Sequence, residues 1–107
     1  LVKKIKDKKV NFEFNKEYIK VVTDKIASND ALFITNSFKE MHPADAADII
    51  EHLSQNDREN LIKLNNFKID PEVVVELNES VKSEIIKYLS SDAIVRILKN
   101  LVLMNLC

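Results

Sequence analysis

Asp48-Ile49-Ile50-Glu51-His52-Leu53 sets a pattern that the second half of the chain repeats as Val74-Val75-Glu76-Leu77, Glu84-Ile85-Ile86-Lys87-Tyr88-Leu89 and Arg96-Ile97-Leu98-Lys99-Asn100-Leu101. The closing leucines stand at 53, 77, 89 and 101, multiples of twelve apart, and Leu61-Ile62-Lys63-Leu64 closes one step early. A segment of that period holds a helix of about ten residues with an apolar stripe on one side. One such helix cannot bury its stripe alone, so the copies must stack on one another. The repetition predicts an all-α fold, a small helical solenoid.

Composition agrees. The 107 residues fit one domain, and 46% hydrophobic side chains supply a modest core. There is no glycine and proline occurs only at Pro43 and Pro71, so the chain lacks the residues that hairpin turns and phosphate-cradling loops require. Sixteen basic and seventeen acidic side chains give a net charge of -1, which argues against nucleic acid as a partner. The single cysteine, Cys107, permits no intrachain disulfide and suits a reducing compartment. No apolar run nears the roughly 20 residues of a membrane span, so the residues in hand are expected to be soluble. The chain opens on Leu1 rather than Met and closes on the apolar run Leu101-Val102-Leu103-Met104, as expected of a piece of a longer protein.

Working outward from the repeats, Lys3, Lys4, Lys6, Lys8 and Lys9 crowd residues 1–15. That segment reads as a solvated basic tail in preference to a contact for anionic lipid. A first helix is expected over Lys16 to Ala27 with Tyr18, Val21, Val22 and Ile26 as its stripe, then a break at Ser28-Asn29-Asp30 with a new N-cap. A second is expected from Ala31 to about Met41, its stripe drawn from Phe33 or Ile34, Ser37 or Phe38, and Met41. Five repeat helices follow near 43–53, 55–65, 71–77, 79–89 and 91–100. His42-Pro43-Ala44-Asp45 and Asp70-Pro71-Glu72 place proline at the first helical position and acid in the positive first turn. Asn78 and Ser90 are expected caps. Loops of one to a few residues imply that neighbouring helices fold back on each other.

Chemistry has few places to reside. Asp45, Asp48 and His52 share one side of the helix opened by Pro43, at i, i+3 and i+7, opposite Ala46, Ile49, Ile50 and Leu53. Two carboxylates and an imidazole are candidate divalent-metal ligands, though such a face is more often simply hydrated. His42 reads as a cap element. Glu72, Glu76, Glu79 and Glu84 add carboxylates that periodicity places on the surface. Oxygen ligands without thiols suit Mg²⁺ or Ca²⁺ rather than Zn²⁺, and Mg²⁺ retains much of its water. No nucleophile elbow, Cys–His pair or glycine loop is present, so the chain reads as a non-enzyme.

Met41-His42-Pro43-Ala44-Asp45-Ala46-Ala47-Asp48-Ile49-Ile50-Glu51-His52-Leu53, with the twelve-residue helices that follow, resembles the cytoplasmic N domain of MgtE-type magnesium transporters over residues 16–107. The resemblance implies a right-handed superhelical stack of armadillo/HEAT type. In the full-length protein it would precede CBS domains and a membrane pore, work as a homodimer and face the cytoplasm at the bacterial inner membrane. It implies a magnesium sensor, in which Mg²⁺ held between acidic faces of the N and CBS domains gates the pore. By position, Glu72 corresponds to an acidic metal contact shared with the CBS domain. The family's further ligands open the next repeat with an acidic cluster, where this chain reads Leu103-Met104-Asn105-Leu106, so metal binding by the isolated domain is expected to be weak or absent. The same helices resemble the armadillo-like repeats of the flagellar switch protein FliG, which implies a protein-binding adaptor. Ala44-Asp45-Ala46-Ala47-Asp48 favours the transporter, because the flagellar version usually carries uncharged polar residues in that turn.

Overall fold

The computed structural model describes residues 16–64 and 67–106, with the backbone alone for 104–106. The basic lead over residues 1–15, with its lysine run, and Cys107 lie outside the described residues. Every regular element among those described is helical: α1 over 16–27, α2 Ala31–Glu40, α3 Pro43–His52, α4 Gln55–Ile62, α5 Pro71–Glu76, α6 Glu79–Tyr88 and α7 Ser91–Leu106.

α1 ends in a reversal built without glycine. Asn29 adopts φ 59°, its N–H bonds the Ile26 carbonyl at 3.0 Å, and the Asp30 N–H bonds the Lys25 carbonyl at 2.9 Å. These two bonds are the Schellman closure, with asparagine taking the left-handed position that glycine usually fills. Asp30 then caps α2, its carboxylate accepting from the Phe33 N–H at 3.1 Å.

The remaining corners share a two-residue grammar in which an apolar anchor is followed by a polar cap. Met41-His42, Leu53-Ser54, Leu77-Asn78 and Leu89-Ser90 join successive helices, and Ile69-Asp70 opens α5. The anchor leaves the helix for extended backbone, with ψ of 149° at Met41, 156° at Leu53 and 148° at both Leu77 and Leu89. Leu53, Ile69 and Leu77 are buried; Met41 and Leu89 pack partly buried against the core. The caps then accept from the next helix. Ser54 Oγ accepts from Asp57 N–H at 3.1 Å, Asp70 Oδ1 from Glu72 N–H at 2.9 Å, Asn78 Oδ1 from Val81 N–H at 2.9 Å and Ser90 Oγ from Ala93 N–H at 3.2 Å. Each satisfies an orphan donor and contributes on the order of 1 kcal/mol.

Leu53, Leu77 and Leu89 thus mark corners rather than helix ends alone, Leu101 lies within α7, and two of the expected boundaries move. α4 stops at Ile62, three residues before the expected end, and a bend carries the chain through Leu64. α7 continues to Leu106, past the expected end at 100, because Leu101 is followed by good helix formers and no cap. On α1 the stripe shifts by one column. Val22 and Ile26 are buried with Tyr18 and Ile19 beside them, while Val21 is exposed.

Packing links helices two apart, α3 with α5, α4 with α6 and α5 with α7. The neighbouring helices expected to fold back on each other instead make their main contacts with the helix after next. α3 is the most enclosed element, with Ala46, Ala47, Ile49 and Ile50 all buried. Toward the end of the stack each Ile or Leu pair splits. Ile85 and Ile97 face inward, whereas Ile86 and Leu98 are exposed. Phe38 and Phe67 meet edge to face at 5.5 Å, holding the segment before α5 against α2.

Candidate metal-contact face and its supporting network

α5 is six residues long, and its register divides its two faces cleanly. Val73 and Val74 are buried with Leu77, which leaves Glu72, Val75 and Glu76 outward. Pro71 holds the first helical position and the Asp70 side chain takes the Glu72 N–H, so the Glu72 carboxylate stands exposed in the first turn. Glu76 follows one turn later on the same side. Like charges at i and i+4 repel, an interaction that a cation relieves.

On α3, Asp45 is the first-turn acid. His52 Nδ1 lies 2.7 Å from the Asp48 carbonyl oxygen and 3.6 Å from the Asp48 carboxylate. Asp48 and His52 therefore meet. Asp45 and His52 are separated by roughly 10 Å along the axis, which a shared ion does not bridge. Among the described residues no group of three His, Cys, Asp or Glu side chains is placed to hold a metal ion. His42 caps α3, Nδ1 accepting from the Ala44 N–H at 3.3 Å, which requires the ring proton on Nε2.

The expected surface position of Glu84 is overturned. Its carboxylate is largely enclosed and takes both oxygens to Arg58 Nε at 3.0 Å, with Nη2 at 2.9 Å and the Tyr88 hydroxyl donating at 2.8 Å. Arg58 also donates through Nη1 to the Leu53 carbonyl at 2.6 Å and, at longer range, to Ile50 and Glu51. One guanidinium on α4 thus closes the carboxyl end of α3 and grips α6. The Glu51 side chain reinforces this by accepting from the Asn78 N–H at 2.8 Å. Arg58 holds the Glu84 carboxyl below its ordinary value. Burial, then the bond to Glu84, pushes the Tyr88 hydroxyl above its ordinary value.

Sequence reasoning passed over Arg58, which lies in a stretch of α4, Gln55-Asn56-Asp57-Arg58-Glu59-Asn60, that looks uniformly solvated. The available signal was the lack of any other donor for the α3 carbonyls in a corner of two residues.

Among the described residues no helix is long and apolar enough to cross a membrane. No curated protein and no solved structure matches the chain. Residues 41–106 match the family model described as the MgtE intracellular N domain. The match begins at the Met41 corner, runs through α7 and covers more than half of the 107 residues, and the chain belongs to the MgtE intracellular N domain family.

Proposed function

We propose that this chain is the regulatory cytosolic domain of a magnesium transporter and senses intracellular Mg²⁺ through its outward acidic face. The family is one of transporter domains rather than enzymes. The observation that carries the metal role is the placement of Glu72, exposed at the start of α5 with Glu76 one turn away, on the helix whose other face is locked into the core. Asp45, Asp48 and His52 on α3 are secondary contacts for an ion completed from outside.

In this reading residues 16–107 wind as a right-handed superhelix of armadillo type, and the acidic face packs against the CBS domains of the same chain within a homodimer. The assembly sits at the cytoplasmic face of the bacterial inner membrane. Two carboxylate surfaces repel unless divalent ions lie between them, so Mg²⁺ binds the packed arrangement better and shifts the population toward it. Coupled to the pore, that shift gates transport. The isolated domain supplies half of each site and binds Mg²⁺ weakly, since the ion keeps most of its water.

In the full-length protein carrying this domain, protease protection of the N–CBS junction is expected to rise with Mg²⁺ in the millimolar range, and Glu72→Gln to require more Mg²⁺ for the same protection. Protection that ignores Mg²⁺ sinks the proposal. A FliG-like adaptor would instead bind its protein partner equally with and without chelator, which calorimetry reads directly.

A further inference from the structure

Two adjoining hollows, of about 550 and 630 Å³, lie on either side of the segment that leads into α5 and share Phe67, Lys68, Ile69 and Arg96. Volumes of this order are typical of small-molecule sites. Lys39, from the last turn of α2, lines one hollow, and the start of α7 at Ser90 and Asp92 lines the other. Three separate elements therefore bring Lys39, Lys68 and Arg96 to one concavity.

Elsewhere the cations of this chain are often engaged. Lys25 pairs with Asp30, Arg58 with Glu84, Lys63 with Glu59 and Lys82 with Glu79. Lys39, Lys68 and Arg96 have no carboxylate partner among the described residues. Arg96 is half-buried. The neighbouring Asp70 is occupied as the α5 cap, and Asp92 offsets part of the charge. The amino-terminal end of α7, sixteen residues long, adds positive potential on the same side. Phe67 and Tyr88 supply aromatic surface beside the cations.

We propose that this groove binds a small phosphate-bearing anion, held by Arg96 with Lys68 and Lys39. A planar guanidinium flanked by two ammonium groups matches several phosphate oxygens, whereas a single carboxylate would leave part of the charge unmet. The site draws on different cation and carboxylate side chains from the acidic face assigned to Mg²⁺, with the start of α5 bordering both.

The test is an NMR titration of the chain with sodium pyrophosphate, free of divalent cations, against sodium chloride of equal ionic strength. Saturable shifts are expected at the amides of residues 67–69 and 90–96. The double variant Lys68→Gln/Arg96→Gln is expected to weaken binding about tenfold or more through loss of two charge-assisted contacts, with its helical circular dichroism unchanged, while Lys20→Gln retains the parent affinity. Shifts that follow chloride equally, that spread over all exposed lysines, or that survive the double variant overturn the proposal. So does a groove that binds a polyglutamate peptide and ignores pyrophosphate, which would make it a dock for an acidic protein segment.

Discussion

Asn29 adopts a left-handed conformation in a chain that has no glycine to offer there. Asn29→Gly is expected to leave stability nearly unchanged, and Asn29→Val to lower it by about 1–2 kcal/mol in urea denaturation, since a β-branched residue resists positive φ. Arg58 carries more. Removing it leaves the Glu84 carboxylate enclosed without a partner and uncovers the last carbonyls of α3, so Arg58→Ala should cost about 3 kcal/mol. Arg58→Lys should recover less than half of that, because one ammonium cannot serve a bidentate carboxylate and a helix end together. Glu84 titrates below its ordinary value of 4.5 when folded. Its contribution is therefore complete above that pH and is lost as pH falls through the lowered folded value. Acid denaturation followed by circular dichroism should show a shallower loss for Glu84→Gln, which starts from lower stability at pH 7. The Tyr88 hydroxyl should titrate lower in that variant yet remain above its ordinary value of 10, because burial is the larger cause of its shift.

At the level of elements, short helices of six to ten residues have little intrinsic stability and depend on their ends and their packed faces. Ser54→Ala and Asn78→Ala should each cost about 1 kcal/mol of unfolding free energy, the usual consequence of losing an N-cap. Leu77→Ala should cost about 2–4 kcal/mol, because it empties a buried anchor at the corner between α5 and α6. α7 differs from its predecessors. Its outer side shows Val95, Leu98, Val102 and Leu103 to solvent, and its length owes more to helix propensity than to burial. Hydrogen exchange should find amides in α3 protected to the level of global unfolding and those in the last turn of α7 exchanging by local fraying.

Across the whole molecule one core cluster runs from Val22 on α1 to Ile97 on α7, passing through every helix between them. A truncation at its centre should therefore be felt everywhere. Ile50→Ala is expected to cost about 3–4 kcal/mol and to keep a single cooperative transition by heat, with circular dichroism and tyrosine fluorescence coinciding. Glu72→Gln, on the exposed face of the same stack, should change stability by no more than about 0.5 kcal/mol. The contrast between these two variants separates the residues that build the scaffold from the residue that the scaffold presents.

What the sequence determined by itself was periodic: the twelve-residue recurrence, the proline starts, the Asn78 and Ser90 caps and the inward Ala46, Ile49, Ile50 and Leu53 of α3 all follow from rules acting over three or four residues. The outward position of Glu72 followed from the same rules, given Val73, Val74 and Leu77 on the other side. Only the tertiary structure decided that helices pair two apart, that Ile86 and Leu98 stay exposed while Ile49 and Ile50 are both covered, and that Glu84 turns inward to Arg58. It also brought Lys39, Lys68 and Arg96 around one groove. The physical reason is range, for a corner of two extended residues sets a direction that no local pattern encodes, and a charge 26 positions away in sequence becomes a neighbour only after that direction is taken.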